Sequence, residues 1–170
     1  VIAEAIVAGG IEYVVHDAVE GYNPAHDLCW HLAAAAVALA ANESGRPITR
    51  HDFLLTGRPD ACPDVPGGDA IRVSLDDGAL ARKLAAAAAY PELKGELDAA
   101  LERFGSAAFA TEVLRPAPGV EAHLGADGVV PFYEQHGESR RASGRYREVV
   151  RRREHVLPLA ESLRNSARGP

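Results

Sequence analysis

The spacing of apolar and polar residues divides the chain into strands and helices that follow one another in turn. Residues 11–16, Ile-Glu-Tyr-Val-Val-His, are rich in β-branched side chains and predict a first strand. A polar loop at 17–22 follows, and the Ala- and Leu-rich residues 24–42 predict a long helix. This strand, loop and helix form the best-defined unit of the pattern.

The alternation of strands and helices continues to the end of the chain. Residues 57–69 hold several Gly and Pro and predict an irregular loop, a candidate lid. Apolar residues recur at helical spacing from Tyr146 to Leu163, so we expect one final helix, kinked at Pro158. This order is typical of an α/β fold built in layers. The further predicted elements are a helix at 1–8, strands at 52–56, 70–75 and 107–114, helices at 78–90 and 91–103, and the final helix at 141–166.

The size and composition of the chain are those of one globular domain. It has 170 residues, of which 47% are hydrophobic and 25% charged. The net charge of −6 gives no reason to expect nucleic acid or an anionic membrane as a partner. Cys29 and Cys62 imply no disulfide framework, and neither a spanning apolar run nor a signal peptide is visible. We therefore expect a single α/β domain at 1–170, located in the cytoplasm.

The start of the sequence has an unusual feature. The chain contains no methionine, and residues 1–8 already have a helical pattern that ends at Gly9. These two observations predict that the chain is the C-terminal portion of a larger, N-terminally truncated domain.

The loop before the long helix carries the candidate chemistry. Asn23 is typical of a helix N-cap, and Pro24 suits the first helical position. His26 then falls in the first turn, at the carboxyl end of a strand, where open α/β sheets bind ligands. The helix dipole disfavours a protonated imidazole there, and a neutral imidazole is the form that binds metal. His16 and Asp17 end the strand and are expected to face the same crevice.

Each candidate also has a simpler interpretation. Most isolated histidines bind nothing, so position alone favours a local hydrogen bond of His26 over a metal site. Asp27 and His31 have the spacing of a helical pair and are expected to contact each other. His136 and Glu138 are expected in a loop before the last helix, where Glu138 fits a helix start. The seven arginines between 140 and 153 alternate with glutamates, which is typical of a solvated, salt-bridged face rather than a nucleic-acid site.

Two parts of the sequence resemble the PIG-L/LmbE-like family of zinc deacetylases. Residues 14–27, Val-Val-His-Asp-Ala-Val-Glu-Gly-Tyr-Asn-Pro-Ala-His-Asp, are similar to the family's second motif, typically Glu-Gly-Gly-His-Pro-Asp-His-Asp after a strand. Residues 132–138, 144–150 and 153–160 look like the C-terminal part of a subgroup of that family. The resemblance implies a Rossmann-like three-layer sandwich with a mostly parallel sheet and one divalent ion, usually zinc.

The resemblance also implies roles for single residues. His26 matches the last histidine of the motif, which is a metal ligand in the family. Asn23 stands where the family has a histidine that polarises the reacting carbonyl, and its amide N–H would donate to an oxyanion instead. Ala25 replaces the family's Asp. The family's first motif, His-Pro-Asp-Asp-Glu, supplies two ligands and the general base; no His-x-Asp-Asp occurs in this sequence, so we expect it before Val1.

The preferred hypothesis is part of a zinc-dependent hydrolase that removes an N-acyl group from a sugar-like or other polar small molecule. In it His26 binds zinc, Asn23 lies beside the oxyanion, and Glu20, Tyr22 and His136 shape the substrate pocket. A small-molecule substrate is the expected partner, and a homo-oligomer is left open. The alternative is a non-catalytic α/β module that binds a ligand or partner and has lost the catalytic residues. A third, weaker hypothesis is a nucleotide-sugar domain of the glycosyltransferase kind.

Overall fold

A computed structural model of the chain describes residues 1–62, 70–119, 121, 123 and 128–168. Within these residues the fold is mixed α/β, with four strands and six α-helices. The strands are β1 (Tyr13–Asp17), β2 (Thr49–Phe53), β3 (Ile71–Ser74) and β4 (Thr111–Pro116). The helices are α1 (Ile2–Ala8), α2 (Pro24–Ser44), α3 (Asp77–Ala88), α4 (Lys94–Phe104), α5 (Phe132–Ala142) and α6 (Leu157–Ala167).

The four strands form one sheet in the order β1-β2-β4-β3. β1 and β2 are parallel, from the pair Tyr13–Thr49 to the pair Asp17–Phe53, and α2 is the crossover between them. β4 is antiparallel to both of its neighbours. The expected mostly parallel sheet is therefore wrong for the described residues, because apolar alternation indicates which face of a strand is buried and not the direction in which the strand runs.

The long helix α2 forms as the sequence predicts. Asn23 is its N-cap, with Oδ1 accepting a hydrogen bond from the Ala25 amide at 2.9 Å, and Pro24 follows in the first turn. Gly45 ends the helix with φ at 66°, a conformation that glycine adopts without strain. The helix contacts α1, α6 and β1. A hydrophobic core lies between α1 and α2 and contains Ile6, Ala36, Val37 and Ala40.

The predicted single helix at 141–166 is wrong. α5 begins earlier, at Phe132, and ends at Ala142, because Gly144 has φ at 72° and turns the chain. A segment without helix follows, then a π-helical turn at Arg152–Val156 and α6. Pro158 lies in the first turn of α6, where proline is tolerated. His136 and Glu138 consequently lie on a helix and not on a loop.

The remaining predicted elements shift by a few residues. The strand expected at 52–56 is β2, and the one expected at 107–114 is β4, preceded by a short 3₁₀ turn at Ser106–Phe109. Residues 63–69 of the predicted loop lie outside the described residues. Among the described helices, none has the length and apolar character needed to cross a membrane.

Candidate functional site

A histidine and a carboxylate meet where β1 ends and α2 begins. Nδ1 of His26, in the first turn of α2, lies 2.7 Å from Oδ2 of Asp17, the last residue of β1. The two side chains are 39% and 19% exposed, so the pair is open to solvent on the histidine side. When Asp17 accepts the Nδ1–H hydrogen bond, Nε2 of His26 keeps its lone pair. The expected convergence of these two residues is found.

His16 does not join this pair. Its ring is buried against Trp30, with the ring centroids 6.1 Å apart, and its Nδ1 donates to the carbonyl oxygen of Asp17 at 2.9 Å. Burial lowers the pKa of His16, and the charge of Arg50 lowers it further. His16 is therefore a neutral side chain of the interior.

Glu20 holds two loops together. Its carboxylate accepts hydrogen bonds from the Leu55 amide at 2.7 Å, from the Thr56 amide at 3.2 Å and from the Thr56 hydroxyl at 2.5 Å. These bonds fix the loop after β2 to the loop between β1 and α2. Glu20 was expected to shape the substrate pocket together with Tyr22 and His136, but it is not among the residues that line the cavity of those two.

The other three residues expected beside the substrate, Tyr22, Asn23 and His136, line one cavity of about 490 Å³. Asn23 uses Oδ1 for the helix cap, which leaves its NH₂ group as a donor. The Tyr22 hydroxyl donates to Oε1 of Glu96 at 3.3 Å. The further lining residues are Pro24, Glu96, Phe132, Tyr133, Gly137, Tyr146, Glu148, Val149 and Val150.

Aromatic rings form a continuous arc along this cavity. The ring of Tyr22 stacks on Phe132 at 5.4 Å between centroids, with the planes 11° apart. His136 lies between Phe132 and Tyr146, at 5.7 Å and 6.5 Å from their ring centroids. Nε of Arg140 donates to Nε2 of His136 at 3.2 Å, so the neutral imidazole carries its proton on Nδ1.

Asp27 is a buried carboxylate whose position the sequence did not indicate. It is 2% exposed, and Oδ1 accepts from the amides of Glu20 and Gly21 at 3.1 and 3.2 Å. Burial raises its pKa, while the two backbone hydrogen bonds and the charges of Arg152 and His123 oppose that shift. The expected contact with His31 is replaced by these loop amides. A second cavity, of about 170 Å³, lies beside Asp27, Glu20 and Arg152.

The single tryptophan, Trp30, is fully buried among ionisable groups. Its ring lies 5.1 Å from that of His31 and 5.0 Å from that of His123, both edge-on, and the Arg50 guanidinium lies 4.7 Å from its centroid. Burial lowers the pKa of His31 to about 4, with His123, Arg152 and Arg50 contributing through their charges. Apolar patterning cannot reveal such a cluster, because its residues come from separate elements.

The described residues do not assemble a complete metal site. Across residues 1–62, 70–119, 121, 123 and 128–168, no group of three or more His, Cys, Asp or Glu side chains is arranged to hold a metal ion. His26 offers one nitrogen, and Asp17 already binds its other nitrogen.

Comparison with known proteins does not place the chain in a family. No family model, no curated protein and no solved structure matches it.

Proposed function

We propose that the chain is part of a zinc-dependent hydrolase that removes an N-acyl group from a sugar-like or other polar small molecule in the cytoplasm. The observation that supports this proposal is the 2.7 Å contact between His26 Nδ1 and Asp17 Oδ2. Metal-binding histidines characteristically give their second ring N–H to a carboxylate, which fixes the tautomer and the orientation of the ring. Both residues also belong to the segment that resembles the PIG-L/LmbE-like motif.

Zinc fits this site only in part. A catalytic zinc has about three protein ligands, and the described residues provide His26 without two companions. We propose that a His-x-Asp-Asp motif upstream of Val1 supplies the other ligands and the general base, in a Rossmann-like three-layer fold that contains the described mixed sheet.

The chain's own residues have roles that do not depend on that upstream motif. Asp17 orients the imidazole of His26. The NH₂ group of Asn23, left over from the helix cap, is available to donate to a developing oxyanion. Tyr22 and His136 contact the substrate from the cavity that they line. Glu20 keeps the loop between β1 and α2 in place through Leu55 and Thr56, which fixes the position of Tyr22 and Asn23.

A non-catalytic ligand-binding module is the second candidate function. It is favoured by the cavity of about 490 Å³, which is within the usual range for small-molecule sites, together with the lack of a three-ligand group among the described residues. In this case His26 and Asp17 would form a structural pair at the helix start.

Measuring the release of free amine distinguishes the hydrolase from the non-catalytic ligand-binding module. The product of the complete coding sequence is incubated with N-acetylglucosamine, and free amine is measured before chelation, after chelation and after zinc is restored. A hydrolase loses amine release on chelation and regains it with zinc. His26→Ala abolishes the release, whereas His155→Ala, at an exposed histidine of the π-helical turn, retains it. Amine release that is unaffected by His26→Ala contradicts the proposal.

A further inference from the structure

The cavity that lies between the start of α2 and the helices α4 and α5 is lined by aromatic rings and carboxylates. Aromatic rings form one side, in the arc from Tyr22 through Phe132 and His136 to Tyr146. The rings are accessible, since Tyr22, Phe132 and Tyr146 are 38%, 52% and 49% exposed. An exposed aromatic surface of this extent is typical of a binding site, because a ligand that covers it removes apolar surface from water.

The charged groups in the same wall are carboxylates. Glu96 lies at the Tyr22 end, where it accepts the tyrosine hydroxyl, and Glu148 follows two residues after Tyr146. No lysine or arginine lines the cavity in the part of the chain that the structure describes. Arg140, whose Nε donates to Nε2 of His136, is not among the lining residues.

We propose that this cavity binds the cationic amino group of a small molecule. The negative faces of aromatic rings attract ammonium groups within about 6 Å, and the carboxylates add attraction of the same sign. A neutral sugar would gain from stacking on the rings and from donating hydroxyl hydrogen bonds to Glu96 or Glu148, but it would gain no charge–charge attraction from them. An anionic group would meet two like charges and would find no lysine or arginine among the described lining residues.

This inference names the substrate class of the proposed hydrolase and rests on that function for its biological meaning. The molecule that fits is an N-acylated compound with a second, free amino group. Removal of the acyl group would give a product with one more positive charge at neutral pH, so the same cavity would retain the product and slow its release. The cavity discriminates by charge and does not require the metal to do so.

The test compares two sugars that differ at one position. Glucosamine and glucose are titrated into the 170-residue chain at about pH 7, where most of the amine is protonated, at constant ionic strength, and the dissociation constants are read from NMR shifts. We expect glucosamine to bind at least about tenfold more tightly than glucose. Equal binding of the two sugars, or no binding of either, overturns the inference.

Variants that remove the charges of two glutamates test whether Glu96 and Glu148 cause the preference for glucosamine. Glu96→Gln combined with Glu148→Gln is expected to bring the two sugars to within about threefold of each other. Glu92→Gln combined with Glu102→Gln removes the same total charge at exposed positions outside the cavity and is expected to keep the preference. Phe132→Leu keeps an apolar side chain and should weaken glucosamine more than glucose. A preference that survives in the Glu96 and Glu148 variant contradicts the inference.

The outcome is independent of the hydrolase proposal. A chain that prefers glucosamine while the product of the complete coding sequence binds no zinc keeps the cation site and refutes the hydrolase. A zinc-dependent hydrolase without this preference keeps the hydrolase proposal and refutes the cation site.

Discussion

Oδ2 of Asp17 and Nδ1 of His26 lie 2.7 Å apart, across the loop that joins β1 to α2. The two residues come from different elements, and the parallel β1–β2 pair with its crossover helix places both at the carboxyl end of the strand. This contact supports the proposal that His26 is a metal ligand with a fixed orientation.

Asp17→Asn tests the orienting role. The amide oxygen still accepts a hydrogen bond but lacks the negative charge that makes the imidazole a better donor to a metal. We expect the zinc affinity of the product of the complete coding sequence to fall by about 10- to 100-fold, measured by competition with a chromogenic chelator. Asp60→Asn changes an exposed-loop carboxylate paired with Arg58 and serves as the control. Unchanged zinc affinity in Asp17→Asn would rule out the orienting role.

Glu20→Gln is expected to loosen the loop after β2. The carboxylate accepts hydrogen bonds from Leu55 and Thr56, and an amide replaces one acceptor oxygen with a donor that faces those N–H groups. The free energy of unfolding should fall by about 1–3 kcal/mol in urea titration. Glu43→Gln, at an exposed position of α2, should change it by less than about 0.5 kcal/mol. Equal stability of the two variants would show that the loop contacts contribute nothing.

Gly137→Ala is expected to push α5 away from the segment that precedes the π-helical turn. A Cβ at Gly137 would lie 2.7 Å from Cγ1 of Val149, closer than real Cβ contacts. The free energy of unfolding should fall by about 1–3 kcal/mol, and Val149→Ala in the same chain should restore part of it.

Gly95 provides the matched control for this change. It lies in α4, and a Cβ there meets nothing within 4 Å, so Gly95→Ala should stabilise the chain by about 0.4–1 kcal/mol. A destabilised Gly95→Ala, or a Gly137→Ala as stable as the parent, would contradict the packing account.

Stability should decrease as the pH falls from about 6.5 to about 4. His31 has a pKa of about 4 in the fold against the usual histidine pKa of 6.5, so in this range the unfolded chain binds more protons than the folded one. The decrease in the free energy of unfolding that comes from His31 is on the order of 3 kcal/mol. The raised pKa of Asp27 acts in the opposite sense, because its folded carboxyl takes up a proton more readily than the unfolded one.

The pH effect is measured by urea unfolding between those two pH values, followed through the fluorescence of Trp30, whose ring lies 5.1 Å from that of His31. His31→Leu removes the group with the largest effect and should reduce the slope of the profile. A smaller slope of the same sign should remain, because burial also lowers the pKa of His16. His155→Leu, at an exposed histidine, should leave it unchanged. A profile that keeps its slope in His31→Leu would assign the effect to other groups.

Local patterns predicted the parts of this fold that depend on neighbouring residues. The cap at Asn23 and the long helix α2 follow from side-chain preferences over a few positions, and both are present. The alternation of strands and helices holds only in part, since β3 follows β2 and α4 follows α3 directly. The antiparallel pairing of β4 depends on contacts between distant segments. The break after Ala142 depends on the turn at Gly144, which the apolar spacing of the following residues conceals.

The residues of the candidate site likewise form two groups, one that the sequence predicts and one that it does not. Asn23 and His26 could be placed from the helix start alone, and Tyr22 with His136 from the resemblance. The buried positions of Asp27 and Trp30 could not be predicted from the sequence. For Asp27 the reason is that an acidic residue in a first helical turn is normally exposed and favoured by the helix dipole. Only the tertiary packing around α2 explains why Asp27 accepts the amides of Glu20 and Gly21.

The zinc content of the product of the complete coding sequence tests the central claim most directly. Zinc is measured per protein chain by elemental analysis after gel filtration, in the parent protein, in His26→Ala and in His155→Ala. The account predicts about one zinc per chain in the parent and in His155→Ala, and a large loss in His26→Ala. A parent protein without stoichiometric zinc, or a His26→Ala variant with the parent's zinc content, would contradict it.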